Sequence, residues 1–341
     1  EWATRDGGAA RCAGGGSREL SPAVIASFDA FWADAPGPGG VGIQTRYVRM
    51  WAHVAERFAG FDAVAGYDVM NEPNAFVFAG PFTDLTLFYA RTLDAIRAAE
   101  ASAGAPRRLF FFEPSILWAG FGIGAPLPFG DDQMVYAPHI YPGGLDDAPL
   151  DEAVFQKVRD EAARFGGVPV VTGEWGSSPE RAADPADDYF DRHQALQDRF
   201  GFGATLWTWR EACGDPHKAG DVRAGRIPSV WGLFDVDCVT NQVRGIREPL
   251  AEALRRPLVR AAPGRLTEVA WDRPARGLRV RGEGAAPGDS LLVFHPARRG
   301  ERLRPEAEGL VGIHVLPAMG GGRFVAGWAE GGAWELSISL R

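Results

Sequence analysis

Hydrophobic positions along the first 256 residues follow two alternating spacings. Two early segments, SPAVIASFDAFWAD and RYVRMWAHVAERFAG, carry apolar residues at helical spacing, and the first opens with Ser21 as a predicted N-cap and Pro22 at the first helical position. Downstream, short continuous apolar runs alternate with further helical stretches, which is typical of a parallel sheet covered on both faces. The runs, which we interpret as strands, span residues 64–73, 108–114, 133–141, 168–175 and 203–209.

The pattern changes after residue 256. Helical periodicity stops, and short alternating runs broken by Gly and Pro follow, among them GRLTEVAWD, DSLLVFHP and AWELSISL. Such runs are typical of a small β-sandwich. The sequence therefore predicts two domains, an α/β domain over residues 1–256 and a C-terminal β-sandwich over residues 257–341.

Composition narrows the classes of function. The chain of 341 residues carries a formal net charge of −8, which argues against a nucleic-acid-binding protein. It contains no run of about 18 or more apolar residues, so the sequence predicts no membrane-spanning helix. Residue 1 is Glu and no signal-peptide pattern follows, so we expect a mature, trimmed or incomplete chain of a secreted or extracytoplasmic protein.

The chain has three cysteines, Cys12, Cys213 and Cys238, and no pair of them has the spacing of zinc ligands. Cys213 and Cys238 bracket a loop rich in Gly, Pro and Asp. A disulfide there would indicate an oxidising compartment, whereas free buried cysteines are equally compatible with the sequence. The segment CGDPHKAGD in this loop is explained by turn chemistry, and we expect neither a metal nor a cofactor.

Chemically capable side chains stand at the end of every predicted strand of the first domain. The carboxyl ends of all strands meet at the active-site face of a closed β/α barrel, whereas an open doubly wound sheet binds ligands only near a switch point. No glycine-rich phosphate-binding motif follows a strand, which weakens the nucleotide-binding alternatives. The strand-end residues are Asn71 and Glu72, Glu113, His139 and Tyr141, Glu174, and Trp207 and Trp209.

Two of these residues, Glu72 and Glu174, form a candidate pair for hydrolysing a glycosidic bond. That reaction requires one protonated carboxyl group to expel the leaving oxygen and one ionised carboxylate to attack or to activate water. The two groups must have different environments, and a hydrogen bond from Tyr141 to Glu174 would favour the ionised form. Either glutamate alone is also explained as a solvated residue at a strand or helix end.

The motifs NEP, HIY and GEWG, followed by an aromatic-rich last strand, resemble glycoside hydrolase family 5, a clan A family of retaining (β/α)8-barrel enzymes. The resemblance covers roughly residues 40–250. It implies that Glu72 is the acid/base and Glu174 the nucleophile. It further implies substrate-binding roles for Asn71 at the sugar 2-hydroxyl, for His139 and Tyr141 at the catalytic centre, and for Trp207 beneath the sugar.

Within the family, the segments EWATRDG, FFEP and GRLTEVAWDRPARGLRVR resemble the endoglycoceramidase-like branch, which implies a glycolipid substrate. We also expect the protein to be a monomer. A family-5 endoglucanase or β-glucosidase acting on polysaccharides is one alternative. A non-catalytic glycan- or lipid-binding fragment is another, because NEP belongs to the fourth barrel strand and residues 1–65 are too few for three βα units. We therefore expect that the first three strands, with an arginine and a histidine typical of the family, are absent from this chain.

For several residues the sequence leaves two interpretations open, a role in the site and a structural role. Trp207 and Trp209 alternate along a strand, so we expect Trp207 to face the sugar and Trp209 to lie in the core. Glu113, and Glu211 with Arg210, are candidate substrate contacts or structural charges.

Two loops in the first domain are unusually apolar, and they line a lipid groove or pack on the second domain. The apolar residues that would line the groove are Phe76, Phe78, Leu117, Trp118 and Phe121.

In the C-terminal domain, the aromatic residues Trp271, Trp328 and Trp334 beside arginines suggest a membrane-surface contact as the alternative to a stabilising role.

Overall fold

The structure, a computed structural model, describes residues 21–74, 81–145, 148–211 and 230–340. The chain divides into two compact units. The first consists of the described residues before Pro179 together with Gly203–Gly245, and the second of Pro179–Phe202 and the described residues from Ile246 onwards. The segment Pro179–Phe202 therefore belongs to the same compact unit as the C-terminal residues.

Five short parallel strands form the centre of the first unit. The first three make one sheet in chain order and the last two make another, and an isolated parallel bridge joins Tyr136 to Val170 between them. Each strand lies inside a predicted apolar run but is shorter than the run. The strands are β1 (Gly66–Asp68), β2 (Leu109–Phe112), β3 (Met134–Tyr136), β4 (Val171–Trp175) and β5 (Gly203–Leu206).

The helices also follow the predicted order. The first begins as expected, with Ser21 accepting a hydrogen bond from the Val24 amide and Pro22 at the first helical position. The helices are α1 (Pro22–Trp32), α2 (Ile43–Phe58), α3 (Pro81–Ser102), α4 (Leu117–Phe121), α5 (Glu152–Ala163), α6 (Tyr189–Phe200) and α7 (Glu248–Leu254), with a 3-10 helix at Pro179–Ala183. None of the helices in the described ranges combines the length and apolar character needed to cross a bilayer.

A two-stranded sheet that the apolar pattern does not predict follows in the first unit, formed by β6 (Phe234–Asp237) and β7 (Gln242–Ile246). Every residue of β7 is exposed to solvent, so no buried face marks it in the sequence. It could not be found from hydrophobic periodicity, because it contributes no alternating apolar face.

The C-terminal residues form two four-stranded antiparallel sheets with the orders β12-β15-β10-β9 and β13-β14-β11-β8. Buried side chains from both sheets, including Val280, Val293 and Leu336, belong to one hydrophobic core. Pro305 lies in β12, an edge strand, where its missing amide breaks no ladder between two neighbours. The strands are β8 (Leu258–Ala261), β9 (Arg265–Asp272), β10 (Gly277–Ala285), β11 (Ser290–His295), β12 (Leu303–Glu308), β13 (Leu310–Pro317), β14 (Arg323–Ala329) and β15 (Gly332–Leu340).

Candidate active site

The predicted site residues of the first unit lie beyond or at the carboxyl ends of β1 to β5. Glu113 directly follows β2, and Glu174 is the fourth residue of β4. Asn71 and Glu72 follow β1 by three and four residues, so the extended segment runs past the hydrogen-bonded strand. Two side chains of α2 hold this segment, because the Tyr47 hydroxyl and the Trp51 indole both donate to the Val69 carbonyl, at 2.8 and 3.0 Å.

The backbone of Glu72 adopts a left-handed conformation with φ of +42°. Few residues other than glycine adopt this conformation, which carries a conformational cost. The Glu72 amide donates to Glu113 Oε2 at 2.7 Å, and this bond holds the turn. Its carboxyl group then points towards His139, whose Nδ1 lies 2.9 Å from Glu72 Oε1.

His139 is buried and faces carboxylates on both sides of its ring. Its Nδ1 also lies 3.3 Å from Glu174 Oε2, and its Nε2 lies 3.3 Å from Glu113 Oε2. Desolvation lowers the pKa of His139, but hydrogen bonds to Glu113 and Glu72 and the charges of Glu113 and Glu174 outweigh it and raise the pKa to about 10. The ring is therefore a doubly protonated imidazolium at neutral pH, a cation among carboxylates.

A glycine in β4 makes room for this arrangement. A Cβ at Gly173 would lie 2.9 Å from the Ala137 carbonyl oxygen and 3.0 Å from His139 Cδ2, both too close for a side chain. The backbone amides of Gly173 and Ile140 donate to the Pro138 and Glu174 carbonyls, so the segment that carries His139 is bonded directly to β4.

Glu174 receives a hydrogen bond from the Tyr141 hydroxyl at 2.8 Å, as predicted. Burial raises the pKa of Glu174, and the nearby carboxylates of Glu72 and Glu113 add to this. His139 and Tyr141 act in the opposite direction, but the net shift is upward. Oxygen atoms of Glu72 and Glu174 lie within 4.8 Å of one another, which is compatible with the roughly 5–5.5 Å of retaining glycosidases and too short for the roughly 6.5–9.5 Å of inverting ones.

Asp68 is a site residue that the apolar-run interpretation missed. It is the last residue of β1, and its neighbours Tyr67 and Val69 are buried. Desolvation and then the charges of Glu113 and Glu174 raise its pKa to about 7, against the effect of His139, although the residue keeps solvent-exposed surface that relieves part of the desolvation. A charged residue between two apolar ones inside a predicted strand is the signal that could have identified it.

Glu72, His139 and Glu174 are also close enough to be considered as metal ligands. Metal binding requires a lone pair on the imidazole. Both ring nitrogens of His139 face carboxylates and its pKa is raised to about 10, so in this arrangement both nitrogens carry protons near neutral pH.

Trp207 and Trp209 are both exposed, at 39% and 68%, so the prediction that Trp209 lies in the core is wrong. The reason is that β5 ends at Leu206, and the alternation of a strand does not extend to the residues after it. Trp209 packs edge-on against Phe234. Glu211 is buried and accepts a hydrogen bond from the Trp231 amide, so a substrate contact for Glu211 stays a prediction.

Only part of the predicted apolar groove lies in the described residues. Trp118 is buried and its indole donates to Glu161 at 2.9 Å, which contradicts its assignment to an open groove. Phe121 is 76% exposed, and Ile123 and Leu127 are exposed as well. Phe76 and Phe78 lie outside the described residues, as do Cys12, Cys213 and the CGDPHKAGD segment, whereas Cys238 is disulfide-bonded.

Comparisons with known proteins agree with this geometry. The family model for cellulases of glycosyl hydrolase family 5 matches residues 31–212. The crystal structure of an endogalactoceramidase superposes with a TM-score of 0.80 at 34% identity, over 100% of this chain and 70% of that one. The lactosyl-enzyme intermediate of endo-glycoceramidase II from Rhodococcus sp. has the same fold, with a TM-score of 0.72 at 24% identity over 99% of this chain and 73% of that one.

None of the curated protein sequences matches the chain. The family model nevertheless covers more than half of the chain, and the endogalactoceramidase covers all of it. The chain belongs to glycoside hydrolase family 5, a family of retaining enzymes built on a (β/α)8 barrel.

Proposed function

We propose that this glycoside hydrolase cleaves the bond between the glycan and the lipid of a glycolipid by a double displacement at Glu72 and Glu174. The observation that carries the proposal is the chain of contacts from Tyr141 through Glu174 and His139 to Glu72. Oxygen atoms of Glu72 and Glu174 lie within 4.8 Å of one another, a separation compatible with a retaining mechanism. The His139 ring contacts both carboxyl groups, and the Tyr141 hydroxyl donates to Glu174. The 34% identity to an endogalactoceramidase over the whole chain supports the glycolipid substrate.

The chemistry follows from these contacts. Glu72 donates its proton to the glycosidic oxygen while Glu174 attacks the anomeric carbon, so the C–O bond to the lipid breaks as the glycosyl ester forms. Glu72, now ionised, then takes a proton from water as the water oxygen attacks the anomeric carbon. The bond from that carbon to Glu174 breaks, which frees the carboxylate. His139 Nδ1–H stabilises the negative charge on either carboxylate as that charge moves between them.

The remaining site residues have supporting roles in this proposal. Asn71 binds the sugar 2-hydroxyl, the exposed face of Trp207 stacks on the sugar, and Trp209 extends that surface. Tyr141 holds Glu174 as the ionised nucleophile, against the burial that raises its pKa.

The exposed apolar residues after β2 support a lipid-binding role. Phe121, Ile123 and Leu127 follow Glu113 within a single loop and helix segment, and loops on a protein surface ordinarily carry polar turn residues. In the proposal these side chains contact the hydrocarbon of the substrate. Packing of this loop on the second unit is the competing interpretation.

A series of alkyl β-glycosides of increasing chain length tests the substrate. We expect kcat/KM to rise with length, by up to about fourfold per CH₂, and Phe121→Ala to flatten the rise. Phe61→Ala, which truncates an exposed phenylalanine three residues after α2, is the matched control and should leave the slope unchanged. A flat series with good activity on plain oligosaccharides would instead indicate a polysaccharide hydrolase, and binding without hydrolysis would indicate a glycan- or lipid-binding fragment.

We also propose that β1 to β5 are the fourth to eighth strands of the family barrel, and that the C-terminal sheets are a β-sandwich. Five parallel strands in chain order, with NEP after the first of them, support the barrel assignment. The hydrophobic core common to both C-terminal sheets supports the second. An experimental structure of the full-length protein tests both assignments, and a barrel strand preceding β1 in this chain would overturn the first.

Secretion and contact with a membrane surface complete the proposal. The disulfide at Cys238 supports an oxidising compartment, and the 45% exposure of Trp328 in β14 supports a surface contact. Trp334 is buried and donates to the Pro263 carbonyl, so it plays no part in such a contact. Thiol titration of natively produced protein and sedimentation with lipid vesicles test the two points, and free Cys213 and Cys238 thiols would remove the first.

A further inference from the structure

Glu113 is a buried carboxylate that the double displacement does not use. It directly follows β2 and only 2% of the residue is exposed, so burial argues against the direct substrate contact that the sequence suggested. Within the part of the chain that the structure describes, its ion-pair partner is His139, and no arginine or lysine takes that place. Burying a carboxylate is costly unless it is paired and hydrogen-bonded.

A single oxygen of Glu113 contacts both the backbone of Glu72, the proposed acid/base, and the ring of His139. Glu113 Oε2 accepts the Glu72 amide at 2.7 Å and lies 3.3 Å from His139 Nε2. The hydrogen bond from the Glu72 amide holds Glu72 in its left-handed conformation, and the contact to His139 Nε2 fixes the plane of the imidazole. The same oxygen therefore sets the position of Glu72 and the orientation of His139 relative to each other.

Glu113 is itself anchored from behind. The Tyr89 hydroxyl, fully buried on α3, donates to the Glu113 carbonyl at 2.9 Å and accepts from the Glu113 amide at 3.1 Å. Both polar groups of the Glu113 backbone are thus fixed by one side chain. Because its backbone is held in this way, the Glu113 carboxylate can fix the positions of Glu72 and His139, the two residues that it contacts.

We propose that Glu113 is a positioning residue that holds the Glu72 backbone and keeps His139 as an imidazolium throughout the reaction. This rests on the proposed role of Glu72 as acid/base. His139 is faced by Glu72 and Glu174 at Nδ1 and by Glu113 at Nε2, with Asp68 acting on it at longer range. As Glu72 loses and regains its proton and Glu174 becomes an ester, Glu113 is the carboxylate in contact with His139 that takes no part in either transfer.

Two substitutions of Glu113 distinguish the effect of its charge from the effect of its position. Glu113→Gln keeps an oxygen acceptor but removes the charge, and we expect kcat to fall by about tenfold or more with KM nearly unchanged. The pKa of His139, raised to about 10 in the unmodified protein, should fall towards its ordinary value, and imidazole NMR measures its titration midpoint. Glu113→Asp keeps the charge but withdraws the carboxylate, so kcat should fall while the titration midpoint stays high.

Glu100→Gln is the matched control. Glu100 is equally buried, accepts a backbone amide from Arg108 at 3.0 Å, and pairs with the cation of Arg97 at 2.7 Å. It lies in α3, two residues before that helix ends, and touches none of the residues around His139. Its replacement should lower stability while kcat and the His139 titration stay as in the unmodified protein.

Trapping with a 2-fluoro-glycoside keeps the two proposals apart. If Glu174 of the unmodified protein is not labelled, the proposed function fails. If Glu174 is labelled but Glu113→Gln keeps both kcat and the His139 midpoint, the positioning role is wrong. Should the Glu113 variants fail to fold, the unmodified protein still decides, because a His139 midpoint near its ordinary 6.5 would overturn the role.

Discussion

Carboxylates in the two compact units occupy opposite electrostatic environments. In the second unit Glu268 bonds Arg279 at 2.7 Å and Arg281 at 3.0 Å across neighbouring strands, and the hydrogen bond from Arg279 is the main reason that its pKa is lowered. In the first unit Glu72, Glu113 and Glu174 contact one imidazole, and Asp68 acts on it at longer range. Burial and mutual repulsion there raise the pKa of Asp68 and of Glu174.

This contrast separates charges that serve stability from charges that serve chemistry. A surface carboxylate beside arginines is stabilised as an anion, so its ionisation is a settled property of the fold. Carboxylates that lie close together around one cation, most of them only partly buried, have pKa values that depend on one another, which is what an acid/base and a nucleophile need. Stability alone does not account for the second arrangement.

Removing the nucleophile should give the largest difference between the units. Glu174→Ala is expected to lower kcat by on the order of 10⁴- to 10⁶-fold, because the covalent step has no other carboxylate in place. The free energy of unfolding should rise or stay constant, since a partly buried carboxylate that is repelled by its neighbours is removed. Steady-state kinetics with thermal unfolding measures both, and a loss of activity that only follows a loss of folded protein would contradict the assignment.

Removing the acid should have a smaller effect that depends on the leaving group. Glu72→Gln keeps the contact to His139 but cannot donate a proton, so we expect a loss of about 10²- to 10⁴-fold on lipid glycosides. An aryl glycoside with an acidic phenol needs no such proton for its departure and should retain much more activity. Equal losses on both substrates would mean that Glu72 is not the acid.

A change beside the nucleophile should move the pH profile. Because the pKa of Glu174 is raised and its anion attacks, activity should fall as pH drops through that pKa, and the acidic limb of kcat/KM should lie above the ordinary range for glutamate. Tyr141→Phe removes the hydrogen bond that favours the anion, so the limb should move to still higher pH. A limb that stays in place in the variant would show that Tyr141 does not support the anion.

The corresponding change in the second unit should have the smallest effect. Glu268→Gln removes two exposed pairs, and we expect the free energy of unfolding to fall by at most about 1 kcal/mol, with kcat unchanged. Its lowered pKa means that this stabilisation is present above the ordinary glutamate pKa and is lost as pH falls through the lowered one. Urea unfolding at pH 7 and at pH 3 measures it, and a large loss at pH 7 would show that surface pairs matter more than proposed.

Much of the first unit could be predicted because strand ends in the sequence carry polar residues that a core does not need. The order of β1 to β5, and the closeness of Glu72, His139, Tyr141 and Glu174, agree with that interpretation. Strand lengths could not be predicted, since apolar residues continue past the last ladder bond, and this is why Trp209 was placed in the core.

Contacts between segments that are far apart in the sequence could not be predicted either. The bond from the Glu72 amide to Glu113 depends on a left-handed turn in NEP, and no periodicity signals that conformation. The strand β8 spans only four residues, and β12 alternates apolar and charged residues but contains Pro305, which argues against a strand in the sequence. Asp68 was hidden for the opposite reason, because a run of apolar residues was interpreted as a strand without regard to its one charge.

The most direct test of the two-glutamate account is to trap the glycosyl-enzyme. Full-length protein is incubated with a 2-fluoro-glycoside, which slows the second displacement, and the labelled peptide is mapped by mass spectrometry. The account predicts a single covalent label on Glu174, with slow recovery of activity as water hydrolyses the ester. A label on any other residue, or turnover with inversion and no label, would contradict it.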